Sequence, residues 1–374
     1  MPAPTDPARP SAAGSGELRF PGVRAREPVE CVSLPDAADR VAAGGFWGVV
    51  GDFEGAVRAW RFVRVERGPD AGPPAAPDAA WYGPAPAAWR SSLKASAYRA
   101  GVEAIRDRIR EGDVYQVNLC RVLTADLPAE AGTEPSAAAL AARLAAGNPA
   151  PFGGFLHVPD GSGLPPAWVV SASPELFLRV GDGSVTSGPI KGTATREAGL
   201  LAKDRAENVM IADLVRNDLQ RVCVPGTVEV VHLLGVEHHP GLVHLVTTVR
   251  GRLLAPGPVD WAGVLAATFP PASVSGAPKT AALAVIDELE PGPRGPYCGA
   301  VGWIDSDRHR AELAVGIRTF WWRDGRLHFG TGAGITWDSE PGAEWAETEL
   351  KAARLVALAS AGGETADMDG ARDE

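Results

Sequence analysis

Residues 171–193, S-A-S-P-E-L-F-L-R-V-G-D-G-S-V-T-S-G-P-I-K-G-T, commit this chain to antiparallel sheet. Val169–Ser173 and Glu175–Val180 are rich in β-formers, Gly181-Asp182-Gly183 supplies a tight turn, and Ser184–Ser187 pairs back as the second arm of a hairpin. Continuing that register sets Lys191 opposite a position between Ala172 and Pro174, a few residues from Glu175, so an acid and an amine share one ladder. Gly192 permits close approach of a ligand to the backbone, and Pro189 stiffens the path into it. An exposed hairpin with a surface salt bridge has the same pattern, and the stretch by itself does not choose between the two.

Elsewhere the sequence alternates helical and strand periodicity. Residues 45–64 predict two short strands, and the Pro, Ala and Gly of residues 67–91 predict a linker or irregular loop. Ser96–Glu111 carries Tyr98, Val102, Ile105 and Ile109 on one stripe and stops at Gly112-Asp113. A strand over Val114–Leu123, an Ala-rich helix over 136–147 and a strand over 167–173 follow. Leu200–Val222 is the clearest helix, with Met210, Ile211, Leu214 and Val215 as its apolar face and Glu207 on that face one turn earlier. Asp204 and Glu207 near its start equally suit a helix dipole. Val228–Val249 reads as strands around a bend at His238-His239-Pro240-Gly241, with His244 just beyond.

The loop 268–279 opens a helix over 280–289, whose free amides suit an anion or nothing more than a plain helix start. Arg310–Trp322 predicts one strand with Leu313, Val315 and Ile317 on one side and Gly316, Arg318 and Phe320 on the other. The Asp324-Gly325 turn then sets Arg318 against Thr331, beside Gly330, Gly332 and Gly334, a fork among bare N–H groups that suits a carboxylate. In the helix 341–361, Glu344 and Glu347 share one side, and Glu347 with Lys351 also fits an ordinary i, i+4 surface pair.

A net charge of −10 argues against nucleic acid or an anionic membrane as partner. Cys31, Cys120, Cys223 and Cys298 lack metal-binding or disulfide spacing, which predicts reduced thiols. No apolar run approaches the roughly 18 residues of a membrane span and the first residues are not a signal peptide, so a cytoplasmic address is expected. Disorder is expected at residues 1–17 and in the acidic tail 362–374, with a short Pro-rich N-terminal region over 18–92 and the main domain over 93–361. Carboxylates on two helices without Cys or His companions suit a hard cation such as Mg²⁺ and an anionic substrate.

The blocks G-D-V-Y-Q-V-N-L at 112–119, S-P-E-L-F-L at 173–178, P-I-K-G-T at 189–193, K-D-R-A-E-N-V-M-I-A-D-L-V-R-N-D-L at 203–219, V-S-G-A-P-K at 274–279, I-R-T at 317–319 and G-A-G-I at 332–335 resemble the chorismate-utilising enzymes. The resemblance covers roughly residues 95–360 and is closest to the aminodeoxychorismate branch. It implies an α+β sandwich of two large antiparallel sheets flanked by helices. It implies that Glu207 and Glu347 bind Mg²⁺, with Asp204 and Glu344 as auxiliary or water-mediated ligands, and that the metal holds the ring carboxylate of chorismate. Arg318, Tyr297 and the amides around Gly332-Ala333-Gly334 match positions for the enolpyruvyl carboxylate; Gly192 and Thr193 lie near the ring; His244 matches a histidine at the reacting face. Glu175 occupies the general-acid position.

Two positions separate the members of this family. Relatives that add water carry a lysine base where Gln116 stands, and anthranilate synthases have alanine at the place of Lys191. The resemblance therefore implies amination of chorismate at C4 through a covalent Lys191 intermediate, on the way to 4-aminobenzoate for folate or a secondary metabolite. The attack needs a neutral amine, whereas a free lysine is protonated at neutral pH. No glutaminase motif surrounds any cysteine, so a separate glutamine amidotransferase subunit is the expected ammonia source. Formation of anthranilate or 2-amino-2-deoxyisochorismate is the rival chemistry, and an inactive homologue that only binds a glutaminase is the non-enzymatic alternative. The chain departs from its relatives in lacking an L-L-E-S-type tryptophan-binding segment, in F-P-P-A-S at 269–273, and at Gln220 and Gly316.

Overall fold

The computed structural model describes residues 16–71, 80–130, 132–194, 196–200, 202–239, 242–255 and 257–361. In chain order, β1 (Glu17–Phe20) and β2 (Val23–Ser33) precede α1 (Ala38–Ala42), β3 (Phe46–Gly51), β4 (Val57–Arg67) and β5 (Arg90–Ser91). Helix α2 (Ala95–Glu111) leads to β6 (Gln116–Asp126), and α3 (Ala137–Gly147) leads to β7 (Phe152–Val158), β8 (Ala167–Ser173), β9 (Leu176–Gly181), β10 (Ser184–Gly188) and β11 (Ile190–Ala194). After α4 (Ala202–Gln220) come β12 (Glu229–His239), β13 (Leu242–Arg252), α5 (Trp261–Thr268), β14 (Gly276–Ala277) and α6 (Lys279–Leu289). The chain finishes with β15 (Ala300–Asp305), β16 (Arg310–Val315), β17 (Thr319–Arg323), β18 (Arg326–Ile335) and α7 (Pro341–Ala359).

Local chemistry explains most of these boundaries. Helix α2 buries Tyr98, Val102 and Ile105 and ends at Gly112, whose φ of 87° ordinary side chains resist. Ser136 caps α3 by accepting from Ala139 N–H, and Glu340 caps α7 by accepting from Ala343 N–H ahead of Pro341. Asp182 and Gly183, both at positive φ, make the two-residue turn of the β9–β10 hairpin, and Asp324 and Gly325 do the same between β17 and β18.

Every ladder between named strands is antiparallel, and the pairings run in one order: β6, β18, β17, β8, β7, β1, β2, β4, β3, β15, β16, β9, β10, β13, β12. The two expected sheets are thus arms of one continuous, curled network. Two of the places where the chain steps between the arms are neighbours, Ser173-Pro174-Glu175 between β8 and β9 and Gly316–Arg318 between β16 and β17. Main-chain bonds lace the steps to their surroundings, Val315 N–H to Glu175 O at 3.0 Å and Ala172 N–H to Arg318 O at 3.0 Å. Apolar side chains pack in one large core and in a second under α3 and α7, where Leu140, Leu144, Phe320, Phe329 and Leu355 meet.

Several expectations need correction. Glu17 begins a strand, so the stretch expected to be disordered ends before it; residues 1–15 and 362–374 lie outside the described residues. Strands from residues 18–92 join the same network, β3 pairing with β15 and β1 with β7. The expected linker is fastened at its far end, with Trp81 Nε1 donating to Ala359 O and Trp89 Nε1 to Ser360 Oγ. The single strand expected over 310–322 breaks at Gly316–Arg318, where Arg318 has a φ of 52°. Among the described residues, no helix is long and apolar enough to cross a membrane.

Candidate active site

The site gathers around the two arm-to-arm steps. At the first, buried Ser173 accepts from Glu175 N–H and donates to Val315 O at 2.7 Å, which fixes the bend that turns Glu175 inward. Glu175 is 3% exposed and its Oε1 has no partner in the protein. Burial pushes its carboxyl up to about 6, against the opposing pull of the Ser273 hydroxyl, the Lys191 charge, the Ile190 N–H and the Arg318 guanidinium. The carboxyl thus stays protonated to a higher pH than an ordinary glutamate, faces an amine and a guanidinium, and lines a pocket with Ser273, Ser187 and Asp218.

Lys191 reaches this acid by a route other than the expected ladder. The β9–β10 register ends at Gly188 opposite Leu176, and β11 pairs with β13 instead. Between Ile190↔Val246 and Thr193↔His244 the register shifts, and Gly192 sits in that irregularity with a φ of 88°. Such a bulge re-aims the neighbouring side chain, and only glycine takes this conformation without strain. Half-buried Lys191 thus comes within electrostatic reach of Glu175, as expected, but by a bulge and not by cross-strand opposition. His244 is buried on β13, in register with Thr193 and Glu237; the side chain of Thr193 lies outside the described residues.

Arg318 occupies the second step. Its guanidinium lies near Glu175, and burial lowers its pKa while Glu175 opposes that shift. The ladder of β17 with β18 stops at Phe320↔Phe329, so Arg318 does not reach the expected pairing with Thr331. Beyond Phe329, strand β18 is held by β6 alone, with Gly330↔Val122, Gly332↔Cys120 and Gly334↔Asn118. The N–H groups of Val122, Cys120 and Asn118 all bond away from β18, to Ser92 Oγ, Glu290 Oε1 and Ser275 O. These are therefore non-hydrogen-bonded pairs, so Gly330, Gly332 and Gly334 turn their N–H and C=O groups to the side that β17 leaves open. Ala333 lies buried on the opposite phase, so the outward groups belong to the glycines flanking it.

The glycines also give room to their neighbours. A Cβ on Gly330 would overlap the Tyr297 ring, one on Gly332 the Cys120 sulfur, and one on Gly334 the Gln116 carboxamide. Tyr297 is buried, with its hydroxyl 3.9 Å from Cys120 Sγ, and burial raises its pKa. Gln116 is buried too, and its Oε1 has no partner. A Gly330→Ala substitution is expected to destabilise the protein by about 1–3 kcal/mol through overpacking on Tyr297, measured by chemical denaturation against wild type.

On α7, buried Glu344 accepts from Ser339 Oγ at 2.6 Å, while half-exposed Glu347 takes the Lys351 ammonium at 2.6 Å. The same ammonium donates to Gly332 O at 3.1 Å, so a positive charge already lies between a carboxylate and a main-chain oxygen of the glycine strand. This donor chemistry fits a hard cation. Among the described residues, however, no three of His, Cys, Asp and Glu converge as a metal cluster, and the side chain of Asp204 lies outside them. Glu207 is half-buried on α4.

Sequence reasoning missed Ser173, Ser273 and the ion pair of Lys279 with Asp218 at 2.7 Å. Neither serine carries a periodic signal; Ser173 is local to Glu175 in the chain, whereas only the fold brings Ser273 to it. Lys279 begins α6 and is spent on Asp218 and Thr268 O, so the helix start expected to suit an anion carries an internal ion pair.

The similarities to known proteins agree with this geometry. Chain residues 64–357 match the chorismate binding enzyme family. The chain is 38% identical over 281 residues to aminodeoxychorismate synthase component 1 of Salmonella typhimurium, covering 72% of this chain and 59% of that protein. It is 39% identical over 280 residues to anthranilate synthase component 1 of Streptomyces coelicolor, covering 72% and 52%. The chain thus spans between half and two thirds of the length of these curated relatives. Anthranilate synthase component I of Streptococcus pneumoniae superposes with a TM-score of 0.70 at 25% identity over 95% of this chain and 94% of that one. The menaquinone-specific isochorismate synthase of Escherichia coli shares the fold, with a TM-score of 0.74 at 18% identity over 95% and 92%. A buried acid and a bulged lysine on one arm, glycines with outward N–H groups on the other, and a match over most of the sequence lead to one conclusion: this chain belongs to the chorismate-binding enzyme family.

Proposed function

We propose that the protein aminates chorismate at C4 with ammonia, as an aminodeoxychorismate synthase component I. The observation that carries this reading is the placement of Lys191 beside buried Glu175. The neutral amine of Lys191 attacks C2 of the chorismate ring, and the double bond shifts as the C4–O bond breaks. Glu175 delivers its proton to the departing hydroxyl, which leaves as water. Ammonia then forms a bond to C4, the C2–N bond breaks, and the lysine amine departs. Arg318 and the outward N–H groups of Gly332 and Gly334 hold the enolpyruvyl carboxylate with Tyr297, while His244, Gly192 and Thr193 line the ring. Buried Gln116, where a lysine would activate water, leaves ammonia as the better nucleophile.

Mg²⁺ would be held by Glu207 and Glu347, with Asp204 and Glu344 in support, and when bound it supplies positive charge for the ring carboxylate. The ammonia source is a partner glutamine amidotransferase subunit, the role that fits a component 1 lacking a nucleophile motif at its cysteines. A cytoplasmic reaction that feeds 4-aminobenzoate formation completes the proposal. The 39% identity to an anthranilate synthase component 1 supports anthranilate formation as the second reading.

The deciding experiment incubates the purified chain with chorismate, Mg²⁺ and ammonium, with and without an aminodeoxychorismate lyase, and identifies products by mass spectrometry. 4-Aminobenzoate that appears only with the lyase is the expected result. Anthranilate or isochorismate would overturn the C4 assignment, and absence of turnover would favour an inactive, partner-binding homologue.

A further inference from the structure

An ion pair outside the proposed chemistry ties the walls of the site together. Arg294 is 1% exposed, and the side chain of Glu290, the residue just past the end of α6 and four before it, is nearly as enclosed. The Arg294 guanidinium donates to both Glu290 oxygens, from Nε at 2.8 Å and Nη2 at 2.6 Å. Its remaining donors go to main-chain carbonyls of two other segments, Val274 O at 3.0 Å and Asn118 O at 2.8 Å. Glu290 Oε1 in turn accepts the N–H of Cys120 at 2.8 Å.

Each bonded segment carries a group of the candidate site. Val274 follows Ser273, which faces Glu175. Asn118 and Cys120 lie on β6 opposite Gly334 and Gly332, and Gln116 is on the same strand. The main chain of Arg294 leads through Gly295 and Pro296 to Tyr297, and this stretch is pinned where Glu54 accepts from Arg294 N–H at 2.7 Å and Gly295 N–H at 3.2 Å. Phe53 lies beneath the guanidinium, 4.2 Å away.

We infer that the buried Glu290–Arg294 pair is a positioning device: it sets Tyr297 and the glycine strand at one fixed spacing from the loop that faces Glu175. This rests on the proposed chorismate reading for its kinetic consequence. A buried ion pair gives little net stability over apolar residues of similar volume, so its contribution here is the fixed geometry of a fork with four bonds. A displacement of about 1 Å in a positioning group costs on the order of 100-fold in rate.

The test compares Arg294→Lys, which keeps the charge and loses the fork, with the apolar double variant Glu290→Leu/Arg294→Met in the full chain. Both are followed by thermal melting, by chorismate and ammonium kinetics, and by amide hydrogen exchange at residues 116–120 and 273–276. The expected result is a roughly 10- to 100-fold loss in kcat/KM for chorismate, with KM for ammonium unchanged, in protein that remains folded. Exchange should rise at the Cys120 amide and along 273–276 in both variants. Because exchange does not depend on turnover, it separates failure of this inference from failure of the chorismate reading. Wild-type exchange at these amides would overturn the inference, and so would an activity loss that only tracks the unfolded fraction.

Discussion

Replacing Lys191 with alanine is expected to reduce lyase-coupled formation of 4-aminobenzoate by at least about 10³-fold, because a residue that forms the covalent bond has no substitute in its own pocket. The bulge at Gly192 is a main-chain feature and survives the change, so melting should match wild type. Chorismate affinity should change far less than kcat, since Arg318 and the glycine strand are untouched. The measurement is single-turnover kinetics with mass spectrometry of the intact protein. In wild type quenched before ammonia is added, the adduct retains the substrate mass less one water, and the variant should show none. Full activity of the alanine variant with ammonium would sink the covalent role and leave direct attack of ammonia.

Replacing Glu175 with glutamine is expected to cost about 10²- to 10⁴-fold in kcat, the usual range for a lost general acid. The carboxyl must be protonated to act, and burial places its pKa at about 6 in the free enzyme. The active fraction is therefore full below that value and falls as pH rises through it, so kcat/KM should carry a descending limb that begins near pH 6. The glutamine variant should lose this limb as well as rate. If the profile keeps the limb after substitution, another group is the acid. A Glu175→Asp variant, one methylene shorter, should retain the limb at reduced rate.

Much of this was legible where backbone chemistry is local. The turns at Asp182-Gly183 and Asp324-Gly325, the stop of α2 at Gly112 and the apolar stripe of α4 follow from residue preferences alone. The partner exchange of β11 was half legible: Pro189 has no N–H to continue the ladder with β9, and Gly192 invites a bulge, yet neither names β13 as the new neighbour. The break at Arg318 left no trace, because an arginine at positive φ has no preference to reveal it and alternation records period without recording which strand lies alongside. Glu290 and Arg294 have the i, i+4 spacing of a surface pair, and only tertiary burial makes them a junction. The motif resemblance supplied the candidate residues; the fold supplied the reason Glu175 and Arg318 are neighbours.

That reason has a mechanical side. Glu175 and Arg318 stand at two adjacent points where the chain crosses from one arm of the sheet to the other. When two plates rock about a shared fulcrum, displacement is smallest at the fulcrum and grows with distance along each plate. The acid and the guanidinium therefore stand where any relative displacement of the arms is least, and the main-chain bonds Val315–Glu175 and Ala172–Arg318 hold them there.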